Sequence, residues 1–323
     1  MITCGEESID LESILLSFQV MLPVFLTILL GAFLQKIGLM PKRMIGDLNR
    51  LCFKCFLPVM LFNNVRATDF RQYFEWHLIS YAIVSVLLLF AVLLWIIPRT
   101  VQQPEQQSVM IQGIYRSNYV ILGIPIVSNI YQGESVATIT MLVAIIVPLF
   151  NLLAVYLFER FNGENNHDPM KMLGSIARNP LIIATVLGML YTLFGIQFPT
   201  FLDATLSDLA GITIPLALLI WGADLDLNLE TTSVKLLVTA VIGKVLIVPL
   251  LFLPPAIALG FRGQALASLL AMYASPAAVS GYIMAQNENA DHHLAGQIVV
   301  ITSILSCFTL FIFIALLRQF AFI

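Results

Sequence analysis

Residues 116–125 read Arg116-Ser117-Asn118-Tyr119-Val120-Ile121-Leu122-Gly123-Ile124-Pro125. The stretch is largely apolar, yet a cation and an amide open it and a glycine and a proline close it. Proline removes a backbone donor and clashes with the preceding helical turn. The freed amides and carbonyls survive in hydrocarbon only where they face protein, a wet cavity or a ligand. A second interruption, Ala274-Ser275-Pro276-Ala277, stands in the other half of the chain. The fold therefore turns on whether both lie in a bilayer.

Composition says that they do. Of 323 residues, 59% are hydrophobic and 11% charged, and mean hydropathy is +0.92. A globular domain carries roughly 25% charged residues, so the polar surface of a soluble enzyme is missing here. A net charge of −3, with 16 Lys and Arg scattered along the chain, excludes a nucleic-acid binder, which needs a basic stripe. About 20 apolar residues cross the hydrocarbon core as a helix. Ten such runs are predicted, near 14–35, 47–66, 77–97, 107–131, 136–158, 172–195, 202–223, 234–260, 264–286 and 294–317. Barrel strands of about ten alternating residues do not fit such runs. The expected fold class is an all-α polytopic membrane protein with ten transmembrane helices.

The interruptions belong to a longer pattern. Pro23 and Pro180, Gly31 and Gly188, Gly38 and Gly195, Pro58 and Pro215, and Pro98 and Pro255 are each 157 residues apart. About one such identity is expected by chance at one offset, and five occur. Pro125 and Pro276 form a sixth pair at an offset of 151, as a shorter loop before the ninth span would give. The expected domains are a first five-helix repeat over 1–158, a cytoplasmic linker over 159–171 and a second repeat over 172–323. Five is odd, so the second repeat enters the membrane in the opposite sense. Inverted repeats with Gly/Pro-interrupted helices in matching places mark secondary transporters.

Lys and Arg near the span ends set the orientation. Lys36, Lys42, Arg43, Arg99, Arg160, Lys171, Arg178 and Lys235 fall on one side, and Arg66, Arg71, Arg262 and Arg318 on the other. This places both termini outside the cytoplasm, although Arg66 and Arg71 pull the other way. The tail with Glu6, Glu7, Asp10 and Glu12 is the reverse of a signal peptide's basic start, so the first span is expected to be retained.

At these residues the chain resembles the auxin efflux carrier family, which includes plant auxin exporters and bacterial malonate- and malate-type permeases. The fourth span from Asn118 to Pro125 is similar to the family's N-x-x-x-x-G-I-P segment, with Tyr131 and Gly133 following. Asn179-Pro180, the run from Ser207-Asp208 through Pro215 to Gly222, and Ala274-Ser275-Pro276-Ala277 resemble its sixth, seventh and ninth spans. The resemblance implies a fold shared with bile-acid and sodium–proton transporters, in which broken helices 4 and 9 cross at mid-membrane. It implies a scaffold of helices 1, 2, 6 and 7, a moving transport domain of helices 3–5 and 8–10, and organic-anion substrates. A homodimer joined through the scaffold is a family-level expectation. The long cytoplasmic loop of many plant members is absent, leaving a minimal carrier.

An ionised side chain at a helix centre costs roughly 2.5–3.5 kcal/mol, so each needs a partner or a wet cavity. Arg116 lies nine residues before Pro125, and its planar fork suits a carboxylate; snorkelling or pairing within the bundle is the other role open to it. Lys54 follows Arg50 by four residues, a like-charged pair that would diverge. Lys244 reaches the site only if the eighth span turns it inward. Asp208, near Asp203, has a structural or helix-end role open to it as well as ion coupling. Asn118 and Asn151 are costly to bury unpaired, and inter-helix bonding is their alternative role. The candidate substrate site is Arg116, Asn118, Gly123, Pro125, Asn151, Ser275, Pro276 and Ser280, with Lys54, Asp208 and Lys244 as coupling or structural charges.

Other chemistry is not expected. Cys52 and Cys55 lie in an apolar segment without a nearby His, and buried cysteine behaves as a small hydrophobe. Asp224 with Asp226, and His292 with His293, are expected to be solvated, and no metal site is expected. No HExxH, GxSxG, Walker or dinucleotide fingerprint occurs, so an enzyme is not expected. The reading is a bacterial-type plasma-membrane carrier for a small organic anion, a mono- or dicarboxylate or an auxin-like acid. It needs no cofactor, with coupling to a proton or to sodium open. A channel or a transporter-derived sensor of the same architecture stands beside it. A sodium–proton antiporter is weakened by the lack of an Asp-Asp pair within a span.

Overall fold

A computed structural model describes residues 22–23, 25–66, 75–119, 123, 127, 130–131, 137–162, 169–224 and 234–323. Every regular element among them is helical. The first repeat region contains α1 (Phe25–Lys36), α2 (Lys42–Leu51), which runs through a π-helical turn (Cys52–Phe56) into α3 (Leu57–Arg66), then α4 (Trp76–Thr100), α5 (Pro104–Tyr115) and α6 (Ala137–Asn162). The second contains α7 (Pro169–Arg178), α8 (Pro180–Leu193), α9 (Thr200–Asp224) and α10 (Val234–Ile242). A π-helical turn (Gly243–Ile247) joins α10 to α11 (Val248–Ala258), and α12 (Gly263–Ala274), α13 (Val279–Asn287) and α14 (His292–Gln319) follow.

The surface is apolar and the interior is partly polar, the reverse of a water-soluble fold. Val84, Leu88 and Trp95 on α4, Leu250 and Leu251 on α11, and Phe308 and Ile312 on α14 are exposed. Gln107, Gln112, Arg116, Asn151, Lys244 and Ser268 are buried. Among the described residues, five helical stretches are long and apolar enough to cross a bilayer: Trp76–Thr100, Thr138–Phe161, Thr200–Asp224, Val234–Ala258 and His292–Gln319. The chain is an all-helical polytopic membrane protein.

Several predicted spans are shorter or divided. The run 172–195 is two helices, because Asn179 caps α8: its side-chain oxygen accepts from the Leu181 amide at 3.0 Å, and Pro180 needs no amide partner in the first turn. The predicted spans 107–131 and 264–286 contain helices of only 12 residues, α5 and α12, each about 18 Å long. Helix α5 of the fourth span ends at Tyr115, ten residues before Pro125. Ile124 and Pro125 lie outside the described residues.

Two groups of helices pack internally. In one, α3 packs on α8 and α9, and α9 also packs on α2. In the other, α4, α5 and α6 pack together, α10 and α12 pack with α14, and α11 packs on α12. Helix α13 touches both, meeting α9 and α2 on one side and α5 and α14 on the other.

Glycines set the close approaches in the first group. A Cβ on Gly222 would meet the Ile28 carbonyl, and one on Gly31 would meet the Leu219 carbonyl, so α1 and α9 touch backbone to backbone. Gly38 and Gly195, paired in the sequence pattern, both take positive φ (+82° and +63°) just beyond α1 and α8. Their amides and those of the next residues bond back to the last helical turn, Leu39 to Leu34 and Ile196 to Tyr191, the glycine-stopped helix end.

Candidate functional site: a polar cavity at two crossed chain breaks

Helices α5 and α12 both stop inside the protein, and their ends meet. Arg116 leaves α5 in extended conformation (φ −88°, ψ 123°), and Ser275 leaves α12 likewise (φ −62°, ψ 148°). Ser117 and Ala277 form an antiparallel bridge, the only one among the described residues, and the Asn118 amide donates to the Pro276 carbonyl at 2.7 Å. A helix end leaves unsatisfied backbone groups, which hydrocarbon does not tolerate. Here the two breaks satisfy each other.

Side chains complete the accounting at the end of α12. The Ser117 hydroxyl donates to the Met272 carbonyl, the Ser275 hydroxyl to Ala271 at 2.5 Å and the Tyr119 hydroxyl to Ser268 at 3.2 Å. The Ala277 amide donates to Thr302 Oγ1 at 3.2 Å. Gly123 faces the Tyr119 ring, where a Cβ would come within 2.7 Å of a ring carbon.

Arg116 is buried at 4% exposure. One guanidinium nitrogen donates to Asn151 Oδ1 at 2.6 Å and Ser280 Oγ at 2.9 Å, and another lies 2.9 Å from Met284 Sδ. Among the described residues no carboxylate pairs with it. Asn151 is fully buried, and its amide NH2 group has no partner among the described residues.

Over this crossing lies a cavity of ≈ 320 Å³. One wall is α3 and α9, with Asn63, Asn64, Ser207 and Thr213; the other is the break itself, Arg116 to Tyr119, with α6 and the first turn of α13. Arg116 is the one ionised side chain in the described lining, and no described Asp or Glu lines it. The first turn of α13 has no side-chain cap at Ala278, so its amides add positive potential at this wall.

Of the residues singled out in the sequence, Arg116, Asn118 and Ser280 line the cavity. Asn151, Gly123, Ser275 and Pro276 shape the crossing behind it, and Pro125 lies outside the described residues. Lys244 is fully buried beside the crossing, its ammonium donating to Ser117 Oγ at 2.6 Å, and does not line the cavity. Lys54 and Asp208 are exposed on the helix surfaces. Exchanging them for neutral isosteres, Lys54→Gln and Asp208→Asn, is expected to change ligand affinity by less than about twofold, since surface charges far from a contact count for little; titration of the purified variants with a bound anion checks this.

Sequence reasoning singled out the amides Asn118 and Asn151 and missed Asn63 and Asn64, adjacent amides inside an apolar span. Asn63 also accepts from Arg66 (Nε, 2.8 Å), which is paired with Asp203 and lies about 6 Å from the rings of Phe62, Tyr191 and Phe198. Asn63 and Ser207 line both the cavity and this neighbouring recess. At the opposite end Asp224, expected in solvent, accepts from the Tyr282 hydroxyl at 2.6 Å and Gln286 Nε2 at 3.1 Å. His292 opens α14 with Nε2 3.5 Å from the same oxygen. Asp226 lies outside the described residues.

An all-helical membrane protein that gathers a guanidinium, amides and hydroxyls round a cavity at two interrupted helices has the make-up of a transport protein. The model of the family described as membrane transport protein matches residues 16–314. The chain belongs to this family, the auxin efflux carriers. An "Uncharacterized transporter" of Methanothermobacter thermautotrophicus is 24% identical over 298 residues, which is 91% of this chain and 96% of the relative.

Proposed function

We propose that the protein is a secondary carrier for a small organic anion, a mono- or dicarboxylate of the malate and malonate class or an auxin-like acid. The observation that carries this reading is the cavity's charge: one guanidinium and no carboxylate in the described lining. A dicarboxylate would place one carboxylate on the Arg116 fork and turn its remaining oxygens to the Asn118 and Asn63 amides and the first turn of α13. The protein acts by binding and moving, not by catalysis.

The architecture proposed is ten spans in two inverted repeats, over 1–158 and 172–323, joined by a cytoplasmic linker at 159–171. The α5 and α12 breaks take corresponding places in the fourth and ninth spans. The packing groups support a scaffold of spans 1, 2, 6 and 7 and a transport domain of spans 3–5 and 8–10, with the cavity between them. Movement of one group past the other would carry the crossing, and the anion on it, across the plasma membrane as an elevator. With both termini outside, the Arg66 recess is extracytoplasmic and the Tyr282–Asp224 bond closes the cytoplasmic side. A scaffold-mediated homodimer completes the proposal.

A melting screen of purified protein tests the ligand class. Malate, malonate, lactate and an indole carboxylate are compared with their neutral esters. Stabilisation by at least one free acid and by none of the esters is expected, since a ligand of the native state raises Tm by mass action. Stabilisation by esters or organic cations instead would reject an anion site.

A further inference from the structure

Arg66 ends α3 beside the cavity rather than in its lining, and its surroundings hold it in one place. Its side chain is 8% exposed and paired with Asp203 of α9. The guanidinium carbon lies 5.9, 5.8 and 6.0 Å from the ring centres of Phe62, Tyr191 and Phe198. Arg66 and Asp203 are the two charged residues in the described lining of the recess. Their charges cancel, so the pair adds no net charge to draw an anion there.

The rest of the guanidinium is spent on one atom. Nε and Nη2 both donate to Asn63 Oδ1, at 2.8 and 2.5 Å, three residues back on the same helix face. A guanidinium has donors and no acceptor, so the end of Asn63 that faces it is the amide oxygen. With that oxygen committed, the NH2 group is the end left for another partner, and Asn63 lines the cavity. A bond from a charged donor also polarises the amide and strengthens its N–H groups. The opposite wall repeats the arrangement: Arg116 takes Asn151 Oδ1 at 2.6 Å, and the Asn151 NH2 group has no partner among the described residues.

A fixed donor distinguishes two ligands of one shape. A carboxylate offers acceptors alone, whereas a primary carboxamide offers an oxygen and an NH2 group. An NH2 group set against the held Asn63 donors goes unpaired, which costs free energy in a buried site. An Asn63 free to turn would offer either ligand whichever end fits.

We infer that Arg66 is a positioning residue for the cavity: by holding the Asn63 oxygen it keeps the amide donors toward the ligand and makes the site prefer a carboxylate to the isosteric carboxamide. The inference rests on the anion reading above.

Ligand-dependent melting of the purified protein gives the affinities. Malate, malonate, lactate and an indole carboxylate are each compared with the compound in which one carboxylate is a primary carboxamide. Wild type is expected to bind at least one acid about tenfold or more tighter than its amide. Arg66→Met keeps the bulk of the side chain and leaves Asp203, 49% exposed, in solvent. In this variant the acid-to-amide preference is expected to fall at least about fivefold, with the acid weaker and the amide no weaker. Asn63→Asp keeps the shape and the bonds from Arg66 but replaces the NH2 group by an oxygen. It is expected to lose at least about tenfold in acid affinity, although a purely structural link to Arg66 would be strengthened by the change. Undiminished acid binding in Asn63→Asp overturns the inference, and so does a folded Arg66→Met with the wild-type preference. If Arg66→Met does not fold, Asn63→Asp decides. Acids that stabilise wild type and keep their preference in both variants overturn the inference alone. If no acid stabilises wild type, the anion reading fails and the inference with it.

Discussion

Arg116→Ala is expected to reduce organic-anion counterflow at least about 30-fold while leaving a folded protein. Removing one partner of a buried, hydrogen-bonded charge pair costs about 2–5 kcal/mol, and the low end is already about 30-fold. The pair in question is Arg116 with the substrate, because the guanidinium otherwise meets only neutral groups, Asn151, Ser280 and Met284. For the same reason its removal strands no described buried carboxylate, and the fold should persist. Arg116→Lys keeps the charge but loses the planar fork, and should fall between the two. Asn118→Ala keeps the backbone bond to Pro276 and removes one cavity amide, a loss of about 0.5–1.5 kcal/mol. Reconstituted counterflow, with melting curves to confirm folding, reads all three. Wild-type rates in folded Arg116→Ala would make the guanidinium a structural group.

Gly222→Leu is expected to abolish the folded state. Its Cβ would overlap the Ile28 carbonyl, a backbone atom with no rotamer to yield, so α1 and α9 would have to part. Overpacking by extra methylenes alone costs about 1–3 kcal/mol, and separating two helices adds lost contacts along both. Gly46→Ala is the matched control: nothing lies within 4 Å of a Cβ there, and a helix interior gains up to about 1 kcal/mol from the change. Size-exclusion chromatography and melting in detergent should show aggregated Gly222→Leu beside monodisperse Gly46→Ala. Equal stability of the two would refute the α1–α9 contact.

The long helices were legible because apolar length alone identifies them. The predicted runs 77–97, 202–223 and 294–317 became α4 (Trp76–Thr100), α9 (Thr200–Asp224) and α14 (His292–Gln319), with edges moved by a few residues. The crossing was legible in one arm. Ser275-Pro276 lies at the break, but in the other arm the helix ends at Tyr115, ahead of Gly123 and Pro125. Proline alone does not mark a break, since Pro98, Pro148, Pro215, Pro254 and Pro255 all lie within helices. The break at Arg116 to Asn118 is made by pairing with residues 276 and 277, a long-range contact without a local mark.

The facing of the buried charges was not legible either, and for a local reason. Lys54 and Lys244 each stand in a π-helical turn, and one inserted residue rotates everything beyond it off the 3.6-residue phase. One lysine faces outward and the other inward. Arg116 was legible as a site residue by type, because a bidentate cation inside an apolar span needs a partner. Asn63 and Asn64 were open to the same argument.

The central claim is that the crossing carries a carboxylate anion across the membrane, and counterflow tests it most directly. Proteoliposomes are preloaded with unlabelled malate, labelled malate is added outside, and malonate, lactate, an indole carboxylate and neutral esters compete. The account predicts transient accumulation of label, suppressed by a subset of the acids and by none of the esters. Label that only equilibrates, or that responds to the esters as it does to the acids, would contradict an anion carrier.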